Sequence, residues 1–79
     1  MEELHVVHVE TRPGYWLHLM FKNGERRIFD MFPYLAKKPF QRLKDPALFS
    51  LAAVDKGAVV WPGNLDMTPT TLYARSKPA

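Results

Sequence analysis

From Leu4 to Phe29 apolar and polar residues alternate with the two-residue period of half-buried strands. Residues 4–10 place Val7 and Val9 on one side, and Leu4, Val6 and His8 on the other. The alternation returns in residues 15–22 and 25–29, on either side of Asn23-Gly24. A two-residue type I′ turn needs positive φ at both central positions, which Asn and Gly tolerate best. The pair therefore predicts a tight hairpin. That loop length sets Phe21 opposite Arg26, Met20 opposite Arg27, Leu19 opposite Ile28 and His18 opposite Phe29. Leu17, Leu19, Phe21 and Ile28 then share a core face, while Trp16, His18, Met20, Arg27 and Phe29 share the other. Thr11-Arg12-Pro13-Gly14 reads as a turn, so the three strands form an antiparallel meander.

The pattern changes at Asp30, whose carboxylate suits the free N–H groups of a short helix through DMFPYLAKK. Pro33 falls in its first turn, Lys37 and Lys38 near its end, and Pro39 stops it. FQRLK (40–44) makes another helical turn, and Asp45-Pro46 caps and opens one through Phe49. Residues 51–54 and 58–61 flank Asp55-Lys56-Gly57 as a hairpin with a three-residue loop. Pro62 and Gly63 suit a type II turn. Thr68 caps a last helix, through Arg75, that begins with Pro69, and Ser76 to Ala79 are expected to fray. The fold class is α+β: a small antiparallel sheet (a three-stranded meander plus a short second hairpin) with two or three short helices. It forms one domain over 1–79, with an ordered core at about 4–75.

Composition sets limits on this picture. A chain of 79 residues that is 47% hydrophobic is too apolar for disorder, yet small enough that one core is only marginally stabilising. With no cysteine, neither disulfides nor thiolate metal sites supplement that core. The absence fits a reducing cytoplasm, and the N-terminal residues carry neither a signal-peptide pattern nor an apolar run of membrane-spanning length. A net charge of +3 is a mild excess that leaves nucleic acid open without favouring it.

Candidate chemistry is sparse. His5 and His8 lie three apart on a strand and point to opposite faces, so no metal is expected. Asp30, Asp55 and Asp66 stand where local turn and cap bonding favours Asp, and there is no nucleophile or phosphate-cradling motif. The expectation is a non-enzyme without cofactors. Arg26, Arg27, Lys37, Lys38, Arg42 and Lys44 would bind phosphates if they converged, and would merely solubilise if scattered. Two readings also attach to Trp16, Met20 and Phe29: an exposed interaction patch, or a face covered by the folded-back segment 31–49.

The run L-x-L-x-F-x-N-G-E (Leu17 to Glu25) is followed by Phe29-Asp30-Met31 and by Phe40-x-x-Leu43-x-Asp45-Pro46-x-x-Phe49. Trp61-Pro62, Asp66-Met67 and Leu72-Tyr73 complete the set. In order and spacing these resemble small bacterial proteins of the family called domain of unknown function 2442, over about residues 4–75. Met31 departs from the usual aliphatic residue after the hairpin Asp, a conservative change for packing. The resemblance implies a compact α+β fold and supplies no catalytic residue. It also implies genes paired with that of another small protein, in an arrangement resembling toxin–antitoxin pairs. The expected function is a non-catalytic protein-interaction module, the antitoxin-like member of a two-gene pair being its specific form. It would bind a small protein partner, or its own copy, through an exposed strand edge and the Trp16, His18, Met20, Arg27 and Phe29 face. The alternative is a nucleic-acid-binding accessory protein acting through the clustered cations.

Overall fold

The structure, a computed structural model, describes residues 4–79. Strands β1 (Val6–Arg12), β2 (Trp16–Phe21) and β3 (Arg26–Asp30) form the expected meander. Two 3₁₀ segments, Phe32–Ala36 and Phe40–Lys44, and helix α1 (Pro46–Phe49) follow. Then come β4 (Ala53–Asp55), β5 (Ala58–Trp61), β6 (Leu65–Met67), helix α2 (Pro69–Arg75) and β7 (Lys77–Pro78). All pairing is antiparallel, in one sheet ordered β1-β2-β3-β7 and another ordered β4-β5-β6. The layout thus exceeds the expected meander plus hairpin by β6 and β7.

The β2–β3 register corrects the two-residue loop. Leu17 pairs with Phe29, His18 with Ile28, Leu19 with Arg27 and Met20 with Arg26. The Phe21 N–H donates to the Glu25 carbonyl at 2.9 Å, and the Gly24 N–H to the Phe21 carbonyl at 2.9 Å. Lys22-Asn23-Gly24 is therefore a three-residue loop in which Gly24 alone adopts positive φ, +91°. This is the hairpin with a left-handed glycine closing the bulge. Asn23 uses its side chain instead of a left-handed backbone: Oδ1 accepts the Glu25 N–H at 2.9 Å, and Nδ2 donates to Glu25 Oε2 at 2.8 Å. Because side chains alternate, one extra loop residue exchanges the two faces of β3. Phe29 turns inward, 1% exposed, and Ile28 turns outward.

The second hairpin errs in the opposite sense. Asp55 pairs with Ala58, so its loop is Lys56-Gly57 alone, with φ of +52° and +81°. Positive φ at both positions matches the type I′ geometry expected of the first hairpin. Gly57 is required here: a Cβ would lie 2.8 Å from His5 Cγ, and the Val6 N–H donates to the Gly57 carbonyl at 2.9 Å. The start of β1 thereby rests on the β4–β5 turn.

The core lies between the inner sheet faces and the helical segments. Val6, Leu17, Leu19, Phe21 and Phe29 come from the first sheet, and Val59, Trp61, Leu65 and Met67 from the second. Met31, Leu35, Leu43, Phe49 and Leu72 close the remaining sides. The Trp61 indole N–H, buried, donates to the Phe49 carbonyl at 3.0 Å. Asp45 and Thr68 are the N-caps expected, whereas the first 3₁₀ segment is preceded by Met31, so Asp30 closes a local turn one residue earlier and does not cap it. The Asp30 carboxylate accepts from the Phe32 N–H, Asp45 from the Ala47 N–H and Thr68 from the Thr71 N–H. The fraying expected after Arg75 is corrected. Lys77 and Pro78 pair with Ile28 and Arg27, Ser76 is buried, and the Ala79 N–H donates to the Arg26 carbonyl at 2.9 Å.

The register carries a direct test. Phe29→Ala should cost about 3–5 kcal/mol in urea unfolding, whereas Ile28→Ala should cost roughly 1 kcal/mol. A two-residue loop would give the reverse order.

Candidate functional site

The outer face of the first sheet can be read as rows across its strands. His8, Met20 and Arg26 form one row, and Glu10, His18, Ile28 and Lys77 the next. Arg12, Trp16 and Asp30 form the third. Trp16, Met20 and Ile28 are half-buried, and none belongs to the core or to the side chains packed against it. The Trp16 indole lies back over the first turn, where a Cβ at Gly14 would come within 3.4 Å of its Cδ1. A shallow hollow of about 410 Å³ is bordered by His8, His18, Met20 and Arg26. Glu10 is occupied within this face: Arg12 Nη2 donates to it at 2.6 Å, and His8 Nε2 lies 3.6 Å away.

The expected interaction face is thus corrected in two of its members. Trp16, His18 and Met20 share it, but Phe29 and Arg27 do not. Ile28 and Arg26 take their places, because the longer loop rotates β3 by one position. The segment 31–49 covers the opposite, inner face, to which Phe29 contributes.

Arg27 instead organises a polar clasp. Its Nε donates to Ser76 Oγ at 2.6 Å, its Nη2 to the Ser76 carbonyl at 3.0 Å and its Nη1 to Glu25 Oε1 at 3.1 Å. The guanidinium stacks over the Tyr73 ring, 4.3 Å from the centroid, and the Tyr73 hydroxyl donates to Glu25 Oε2 at 2.5 Å. Tyr73 also meets Phe21 edge-on at 5.2 Å. The clasp ties the end of α2 and the start of β7 to the bulged loop, and it was missed in the sequence. An inward β3 arginine was the available signal, hidden by the wrong loop length.

The six cations do not form one patch. Arg26 lies at the loop end of β3, whereas Arg42 and Lys44 lie on the second 3₁₀ segment and Lys37 and Lys38 on the connection before it, past the end of the helical turn expected to carry them. Lys37 Nζ sits 5.6 Å from the Tyr34 ring centroid, and Arg42 Nη2 donates to the Gly63 carbonyl at 3.2 Å. Among the described residues, no group of three or more His, Asp or Glu is placed to hold a metal ion. No described helix is long and apolar enough to cross a membrane.

A family model described as "Protein of unknown function (DUF2442)" matches residues 6–78. No curated protein and no solved structure matches the chain.

Glu25 supplies the pH-dependent prediction of this region. The Tyr73 hydroxyl bond holds its carboxyl below the ordinary glutamate value, with bonds from Asn23 and Arg27 adding to the effect and desolvation opposing it. A lowered folded-state pKa gives stability that is present above the unfolded value and lost as pH falls through the folded one. Thermal unfolding of Glu25→Gln should therefore show a deficit at neutral pH that closes as acid protonates the native glutamate. A deficit constant through the carboxylate range would refute the linkage.

Proposed function

The chain belongs to the DUF2442 family of proteins of unknown function, and we propose that it is a non-catalytic protein-interaction module working through the outer face of its first sheet. The observation that carries this reading is the set of half-buried Trp16, Met20 and Ile28 side chains that the core does not use. Aromatic residues and Met are enriched at the centres of protein interfaces, with charged groups at the rim. Here His8, Arg12 and Lys77 flank the apolar side chains on the neighbouring strands, and Arg26 lies across from Met20. The specific form we propose is the antitoxin-like member of a two-gene pair, with a small protein partner.

A non-catalytic role is favoured by how the polar groups are engaged. The perturbed carboxylate, Glu25, is bound by Tyr73, Asn23 and Arg27 in the clasp that holds the hairpin. The nucleic-acid alternative draws less support. Its six cations divide between the outer face, the clasp, the second 3₁₀ segment and the connection before it, whereas strong phosphate binding needs several converging on one backbone.

Purification of the tagged chain from its native host tests the proposal. A small partner should be retained stoichiometrically and lost from the Trp16→Ala/Met20→Ala variant at an unchanged denaturation midpoint. Recovery of no stoichiometric partner, or its retention by the folded double variant, would count against this surface.

A further inference from the structure

We propose that Arg26 and Lys77, beside Met20 and Ile28, make this face selective for an acidic protein segment. The occupant lays apolar side chains over Met20 and Ile28 and sets carboxylates against the two cations. This inference rests on reading the outer face as an interface and adds the chemistry of the partner.

The geometry supplies both halves of that recognition. Met20 stands opposite Arg26, and Ile28 opposite Lys77, so each apolar residue has a cation as its cross-strand neighbour. Arg12 and Arg27 are already engaged, the first with Glu10 and the second with Glu25 and Ser76. Arg26 and Lys77 are not: neither side chain has a hydrogen-bonding or ionic partner among the described residues. The carboxylates of the same face lie away from that corner, Glu10 on β1 in a bond with Arg12 and Asp30 at the far end of β3 from Arg26. One corner of the face is therefore left with uncompensated positive charge directly beside apolar surface.

Charge complementarity selects among occupants. A second copy offers the same cationic corner, and with its Glu10 held by Arg12 a twofold contact leaves Asp30 alone to meet Arg26 and Lys77. Nucleic acid would leave Met20 and Ile28 against a phosphate backbone and meet, among the described residues of this face, two lysine or arginine side chains not already engaged. An acidic segment with interspersed apolar residues satisfies both features. Opposite charges also steer encounter, so its association should weaken with salt.

Fluorescence anisotropy with three labelled peptides tests this. One alternates Leu or Phe with Asp and Glu, and its counterparts carry Lys or Gln at those places. Single-stranded DNA of mixed sequence is the fourth probe. The acidic peptide should bind best, more weakly as salt rises, and should be lost in Trp16→Ala/Met20→Ala. The Arg26→Glu/Lys77→Glu variant should weaken it by roughly a hundredfold and bind the Lys peptide instead. Circular dichroism should show that the charge-reversed protein remains folded. Equal binding of the acidic and Gln peptides, both lost in Trp16→Ala/Met20→Ala, would keep the interface and overturn the acidic preference. Tighter binding of DNA than of the acidic peptide, or binding of no peptide, would also overturn the proposal. The copurification result would then decide separately whether the face is an interface.

Discussion

The length of the loop Lys22-Asn23-Gly24 governs which side of the first sheet every β3 residue occupies, since adding or removing one residue exchanges the faces. Several independent contacts hold the longer form. The Asn23 side chain closes on the Glu25 backbone, Gly24 takes the left-handed conformation, and Tyr73 and Arg27 bind the Glu25 carboxylate. The same register sends Phe29 into the core beside Leu17 and brings Arg27 to Ser76. A two-residue loop would bury Ile28 in place of the larger Phe29 and turn Arg27 away from its partners. Burial of an aromatic side chain and satisfaction of a guanidinium thus act on one backbone choice. The outer face, with Arg26 and Ile28, is its consequence.

Two further loops show how side-chain contacts offset backbone cost. Pro13-Gly14-Tyr15 and Pro62-Gly63-Asn64 each span three residues, with φ of +87° and +66° in the first and +90° and +63° in the second. Asn64 is an ordinary occupant of a left-handed position, whereas a tyrosine there is strained by about 1–3 kcal/mol. Tyr15 meets Phe49 edge-on at 5.3 Å and Phe32 at 6.3 Å, and its hydroxyl donates to the Lys44 carbonyl. Phe49 in turn stacks on Trp61 at 6.2 Å. The strained residue therefore begins an aromatic chain from the first sheet, through α1, to the second.

These contacts explain why the outer face can be set apart from folding. The helical segments and second sheet all close on the inner side, leaving Trp16, Met20 and Ile28 without a role in the core. Antiparallel sheets commonly bury one face and solvate the other, and the solvated face is then usually polar. Here Trp16, Met20 and Ile28 alternate with His18, Arg26 and Asp30 on the two interior strands, the mixture of apolar and polar groups on which the proposed interface depends.

Local chemistry made much of this fold legible in the sequence. Alternation marked β1, β2 and β3, although a bulge after Val6 turns both Val6 and Val9 inward where the period set them on opposite sides, and Asp45 and Thr68 announced the caps they form, because strand period and capping depend on neighbouring residues. The inward positions of Leu17, Leu19 and Phe21 followed from that alternation, as did the outward Trp16, His18 and Met20. Loop length did not. Asn-Gly suits both a two-residue and a three-residue turn, and partners almost fifty residues away, Tyr73 and Ser76, reinforce the longer one. For the same reason β7 was invisible: two residues carry no periodicity, and they become a strand only where β3 offers its free edge. The sequence by itself thus determined the longer elements and the β2 residues of the candidate face. Tertiary structure decided its third strand, because the side of a sheet a residue occupies depends on what the opposite side must bury.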